Sequence, residues 1–137
     1  MRRRLTGLAF AGLVLGVFVL FGPKMPRDQA VRFSLGGRAA DVRELGVRYE
    51  HANARELTDE AVREVSFRYP RGDAPRTVRH EPRLADGDYV LEIEVVTQES
   101  RATVKRNVSL AGAAITVDLE AAVPARDLAT KDGGATP

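Results

Sequence analysis

Two histidines, His51 and His80, are the residues of this chain best suited to metal or proton chemistry. A metal site would need them side by side with a third ligand. Alternation along the chain puts both on the apolar side of a strand, close to its end. If those strands are neighbours, Asp86 or Asp88 could complete a site. The simpler expectation is two boundary histidines hydrogen-bonded at a sheet edge, with no metal and no cofactor. Asp86-Gly87-Asp88 would suit a calcium loop, but calcium takes six to eight oxygens and no further acids cluster in the sequence here. Asp-Gly is also the signature of a tight hairpin turn, and that is the expected role of Asp86 and Gly87. Arg71-Gly72-Asp73 matches an adhesion tripeptide, yet Pro70 and Pro75 bracket it as a turn. Asn107-Val108-Ser109 has the spacing of a glycosylation acceptor but falls in mid-strand.

No nucleophile is set against a base in a recognisable pattern. There is no Gly-x-Ser-x-Gly, no phosphate-cradling glycine loop and no His-Glu-x-x-His. The chain is therefore expected not to be an enzyme. The arginines offer a different chemistry. Arg63, Arg68, Arg76, Arg79 and Arg83 fall in the middle of the chain, and Glu92 and Glu94 follow on a later strand. Arg79 and Arg83 share a parity, so cross-strand pairing with Glu92 and Glu94 is the natural expectation. Solvated pairs of that kind contribute less than about 1 kcal/mol each. The alternative is a binding face for an acidic partner, built from Arg63, Arg68, Arg79 and Arg83.

The elements that must position these residues read as strands, because side chains alternate between two faces. The apolar rows are Val31-Phe33-Leu35, Leu45-Val47-Tyr49, Val65-Phe67-Tyr69, Val78 to Leu84, Tyr89 to Val95, Val104 to Leu110 and Ile115-Val117-Leu119. Arg106 interrupts the sixth row, which points to a bulge or a strand end. Polar residues fill the other face of every row, which favours antiparallel pairing. Gly36-Gly37, Pro70 to Pro75, Asp86-Gly87 and Gly112 separate the rows as turns. Ala52 to Ala61 lacks the pattern; Asn53 with Glu56 three residues on could cap one helical turn there. The expected fold is all-β: an antiparallel, seven-strand, Greek-key β-sandwich of prealbumin-like or immunoglobulin-like type, preceded by one apolar helix.

Leu84-Ala-Asp-Gly-Asp-Tyr89-Val-Leu-Glu-Ile93 resembles a segment of transthyretin-like bacterial sandwiches, which include carboxypeptidase regulatory-like domains. That segment runs leucine, turn, glycine, one residue, tyrosine, then an alternating strand. The rows Val104–Leu110 and Ile115–Leu119 around Gly112 fit the same layout, so the resemblance covers Leu84–Leu119. It implies a corner built on Asp86, Gly87 and Tyr89, and a module for adhesion, carbohydrate contact or assembly rather than catalysis.

Ahead of the strands, Met1-Arg-Arg-Arg4 precedes an apolar run from Leu5 to Gly22 broken only by Thr6. Eighteen helical residues span roughly 27 Å, close to a hydrocarbon core. Phe21-Gly-Pro-Lys-Met-Pro-Arg27 offers no small-residue cleavage site, so an uncleaved signal anchor is expected over a cleaved signal peptide. The three arginines favour a cytoplasmic N-terminus. Gly12 and Gly16 have the small-residue spacing that lets membrane helices pack closely.

Arginine outnumbers lysine 18 to 3, a usage that suggests a high-GC bacterium. The compartment beyond the anchor is then the periplasm. The overall charge of +2 belongs to the anchor's flanks. Residues 1–28 hold five of the 21 basic residues and one of the 19 acidic ones, leaving 16 and 18 in residues 29–137, a net of −2. That balance, with no tryptophan for stacking, argues against nucleic-acid binding. The absence of cysteine removes disulfides and thiolate chemistry together. The expected organisation is an anchor over residues 1–28, a β-domain over 29–121 and a disordered tail over 122–137. The expected function is a membrane-anchored, extracytoplasmic, non-enzymatic module that binds or scaffolds an envelope partner. The alternative is a cleaved-signal periplasmic domain binding a carbohydrate or other small ligand.

Overall fold

The computed structural model describes residues 13–17, 19–20, 25–53 and 61–125. Leu13–Val17 and Val19–Leu20 are helical, with their large apolar side chains exposed. Most of the expected Leu5–Gly22 anchor, including Gly12, lies outside the described residues, as do 54–60 and the tail from 126. Among the described residues no helix is long and apolar enough to cross a membrane.

The remainder is all-β. Strands β1 (Arg27–Asp28), β2 (Val31–Ser34), β3 (Val42–His51), β4 (Arg63–Arg68), β5 (Thr77–His80), β6 (Arg83–Leu84), β7 (Gly87–Thr97), β8 (Arg101–Leu110) and β9 (Ile115–Asp118) follow in order. They form three sheets: β1-β6, β5-β2-β9 and β4-β3-β7-β8. Short 3-10 turns at Gly36–Asp41 and Glu120–Ala122 fill the links after β2 and β9.

The sequence predicts seven strands, and the described residues hold nine. The predicted row Val78 to Leu84 divides at Pro82, which has no N–H to give a ladder. The piece beyond it, β6, pairs with β1 instead, in the register Arg27↔Leu84 and Asp28↔Arg83. The ordered domain thus begins before residue 29. It also runs past residue 121: Val123 is buried, and the Arg38 guanidinium donates to the carbonyls of Val123 and Pro124. One pairing departs from the antiparallel expectation. β2 and β9 are parallel, Val31↔Ile115 through Ser34↔Asp118. Alternation reports which face of a strand is buried and is blind to the direction of its neighbour.

Irregularity also falls where the apolar pattern does not place it. β8 passes Arg106 in unbroken register with β7, Leu91↔Arg106, and the side chain stays exposed because β8 is an edge strand. The bulge is at Arg43 instead, where Val42↔Thr97 gives way to Glu44↔Val96.

One buried cluster joins the sheets. Val31 and Phe33 of β2, Val78 of β5 and Val117 of β9 meet Leu45, Val47 and Tyr49 of β3 and Tyr89, Leu91, Ile93 and Val95 of β7. The Tyr49 hydroxyl lies 2.8 Å from His80 Nδ1, and the His80 ring is edge-on to Phe67 at 5.7 Å, so β5 is tied to both β3 and β4. Phe33 is wholly buried whereas its neighbour Arg32 points outward. Phe33→Ala is expected to cost about 3–5 kcal/mol in urea denaturation of the detergent-purified chain. Arg32→Ala should stay within about 0.5 kcal/mol. Comparable losses in the two variants would show that the inner and outer faces of β2 are wrongly assigned.

Candidate functional site

The sequence-predicted corner is a tight polar lock. Asp86 accepts hydrogen bonds from Arg27 Nε at 2.7 Å, Arg27 Nη2 at 2.6 Å and Gln29 Nε2 at 3.0 Å. These donors hold its carboxyl below the usual carboxylate range, Arg27 foremost. Gln29 is 1% exposed and uses its whole amide: Nε2 also donates to the Leu84 carbonyl at 3.0 Å, and Oε1 accepts from Gly112 N–H at 2.9 Å. Gly112 has φ +82°, and a Cβ there would lie 2.7 Å from the Arg27 guanidinium carbon. Glycine is thus favoured by its dihedral, and the Arg27 guanidinium takes the space a Cβ would occupy. The Tyr89 ring is buried, and its hydroxyl donates to the Ala85 carbonyl at 2.8 Å, the back-bond of a tyrosine corner.

Asp86-Gly87 is nevertheless not the predicted hairpin turn. Its flanking strands β6 and β7 lie in different sheets, so it carries the chain across the domain. Gly87 opens β7 with φ +154°. Asp88 is engaged by the Ser109 hydroxyl.

The two histidines go to different aromatic partners. His51 stacks on Tyr89 at 5.0 Å, and His80 packs with Tyr49 at 5.6 Å. Burial lowers the His80 pKa, with a further contribution from the Arg63 charge. Burial pushes the Tyr49 phenol up. The described residues contain no cluster of three or more histidine, aspartate or glutamate side chains able to hold a metal ion.

The four candidate arginines are all exposed, but the structure does not bring them to one face. Arg68 stands on the outer side of the four-stranded sheet, 3.5 Å from Glu44. A hydrogen bond from Ser66, then the Arg68 charge, holds the Glu44 carboxyl down. Arg63 begins β4 on the row that faces inward. Arg79 is on the three-stranded sheet opposite Arg32, and Arg83 is opposite Asp28. The expected partners of Arg79 and Arg83 are taken by β8: Glu92 pairs with Lys105 at 3.3 Å and Glu94 with Arg101 at 2.9 Å. The expected pairing needs Arg79 and Arg83 on a strand beside β7, whereas β5, β6 and β7 lie in three different sheets.

At the opposite end of the domain a polar pocket of about 500 Å³ is lined by Asp41, Arg43, Arg71, Thr97, Glu99 and Pro124, among others. The β3 bulge turns Arg43 out of the strand's alternation toward it, a common use of bulges. Arg43 Nη2 donates to Gln98 Oε1 at 3.3 Å, while Nη1 is buried with no hydrogen-bond partner among the described residues. Arg71 and Gly72 reach the pocket from the Pro70–Asp73 turn, which is closed by Asp73 N–H on the Pro70 carbonyl at 3.1 Å. The sequence singled out that turn as an adhesion tripeptide match but missed Arg43, because a bulge leaves no mark in apolar periodicity.

Comparison with known proteins finds no matching family model, no matching curated protein and no matching solved structure.

Gln29→Leu keeps the volume and strands the Gly112 N–H and the Leu84 carbonyl; it is expected to cost ~1–3 kcal/mol by urea denaturation. The pH profile carries a second expectation. His80 and Asp86 both have folded pKa values below their ordinary ones, so each adds stability above its ordinary pKa that disappears as pH falls through the folded value. Stability should fall in two steps on acidification, the first below the ordinary histidine range and the second below the ordinary aspartate range. His80→Gln should flatten the first step and Asp86→Asn the second. A profile unchanged by either variant would remove these groups as its cause.

Proposed function

We propose that this chain is a non-enzymatic envelope module: a single-pass inner-membrane protein with a cytoplasmic N-terminus, whose periplasmic β-domain binds or scaffolds another envelope component. The observation that carries this reading is how closely the domain follows the apolar run. Only residues 21–26 lie between helical Leu20 and Arg27, and Arg27 is already paired in β1 and locked to Asp86. Six residues reach at most about 20 Å. The end of the domain that holds Asp86 and Gly112 therefore sits at the membrane surface. The eleven residues of β7 extend roughly 35 Å from there. The Arg43–Arg71 pocket, beside the far end of β7, then faces away from the membrane.

A two-sheet Greek-key sandwich is the architecture this reading assigns to the domain. The single cluster shared by the four- and three-stranded sheets supports it. The Tyr89–Ala85 corner bond supports the transthyretin-like reading of Leu84–Leu119. A second reading, a cleaved-signal periplasmic domain that binds a small ligand, draws its support from the pocket, whose volume falls in the range of small-molecule sites.

Fractionation of cells carrying a C-terminally tagged chain, with protease added to spheroplasts, separates the two. The anchored module should stay with membranes through an alkaline wash and lose its tag to protease. A soluble periplasmic tag on a shortened chain would favour the ligand-binding reading. A membrane-bound but protected tag would reverse the orientation and sink both.

A further inference from the structure

The two larger sheets differ by one strand, four against three, and the shortfall lies on one side. On the β4 side β5 covers the inner row: His80 lies edge-on to Phe67. On the other side β9 is the last strand of its sheet, and β8 overhangs it. The inner row of β8 is consequently half open. Val104 and Val108 are only partly buried, Arg106 between them is exposed, and Ile115 of β9 flanks them half-buried.

The free edge of β9 also presents unused backbone. Ile115 N–H donates to the Ala30 carbonyl at 2.9 Å and Leu119 N–H to Ser34 at 2.8 Å, so the odd-numbered amides point at β2. The amides of Thr116 and Asp118 point the other way, toward the side on which β9 has no neighbouring strand among the described residues. Sheet edges are ordinarily guarded by charge. β8 carries Arg101, Lys105 and Arg106, whereas β9 carries a single charge, Asp118, whose Oδ1 accepts from the Glu120 N–H at 2.9 Å. Arg101 and Lys105 are spent on Glu94 and Glu92. Arg106 reaches only the Lys105 carbonyl, at 3.2 Å, and no ion pair to it is present among the described residues.

We propose that the β9 edge accepts an extended strand from a protein partner, which completes the three-stranded sheet and covers the inner row of β8. The incoming strand carries apolar residues toward Val104 and Val108 and an aspartate or glutamate toward Arg106. Main-chain bonding to Thr116 and Asp118 provides the attachment; the carboxylate provides the choice of partner. This rests on the envelope-module reading and names its contact.

The test uses the full chain in its own membrane, with a photo-crosslinking phenylalanine at position 118 and, in a separate strain, at position 68 on the outer side of β4. Thr116→Pro removes an outward amide and leaves the bonds from Ile115, Val117 and Leu119 to β2 in place, a position where edge strands tolerate proline. Thr116→Val is its control. The expected result is a position-118 adduct whose partner peptide, sequenced by mass spectrometry, alternates apolar residues around an acid. Thr116→Pro and Arg106→Glu should each reduce that adduct about tenfold or more, and Thr116→Val should not. Exchanging the partner's acid for arginine should restore it in Arg106→Glu. An adduct to a second copy, to residues 126–137 of the same chain or to lipid overturns the proposal, as does a protein adduct indifferent to Thr116→Pro. Adducts at position 68 alone overturn it while leaving the module reading intact. Absence of adducts at both positions removes the two together.

Discussion

One buried amide ties together the links between the strands of this domain. Gln29 sits in the short link between β1 and β2, with its backbone N–H on the Pro82 carbonyl at 2.9 Å. Its side chain reaches the β6–β7 crossing through Leu84 and Asp86 and the β8–β9 loop through Gly112. The same residue therefore holds β6 and the links that lead into β7 and β9. A buried amide left partly bonded would cost more than it contributes, and here donors and acceptor are all matched. The Arg27–Asp86 pair closes the lock from the solvent side at 2.6 Å. Glycine at 112 lets the guanidinium lie flat against the backbone.

The lock concerns the ends of strands, and the core concerns their middles. Phe33, Leu45, Leu91, Ile93 and Val95 are fully buried and supply the apolar area that drives folding. Non-directional burial leaves two sheets free to slide. The Tyr49–His80 contact removes part of that freedom, since it needs one hydroxyl within 2.8 Å of one ring nitrogen across the core. The outer side of the four-stranded sheet is different in kind. Glu44, Arg68, Glu92, Glu94, Arg101 and Lys105 form exposed cross-strand pairs there, each worth little for stability. Such a surface keeps the sheet solvated and leaves recognition to the edges and ends.

The domain thus has two ends of unlike character. The Asp86–Gly112 end is rigid, spent on internal hydrogen bonds, and carries the link to the apolar run. The Arg43–Arg71 end is built from a bulge, a proline-bracketed turn and the segment after β9, and one buried guanidinium nitrogen there has no hydrogen-bond partner among the described residues. Between them the β9 edge offers backbone bonding with Asp118 as its one charged side chain.

The all-β class, the inner row of nearly every strand and the place of Tyr89 at a corner are legible in the order of the residues. Each of these follows from local chemistry: alternation sets which side chains are buried, and a tyrosine just past a chain reversal can return its hydroxyl to the backbone; the hairpin expected at Asp86-Gly87 is instead a crossing between sheets. Only the tertiary structure decided what pairs with what. The parallel β2–β9 contact, the division of the Val78–Leu84 row at Pro82 and the crossing that separates β5 from β7 are long-range choices among strands with interchangeable patterns. Those choices sent Glu92 and Glu94 to β8 and scattered Arg63, Arg68, Arg79 and Arg83 over different surfaces. They also gave Arg106 its open place on an edge and moved the bulge to Arg43, because exposure at an edge and an extra residue in a ladder depend on neighbours that periodicity does not record.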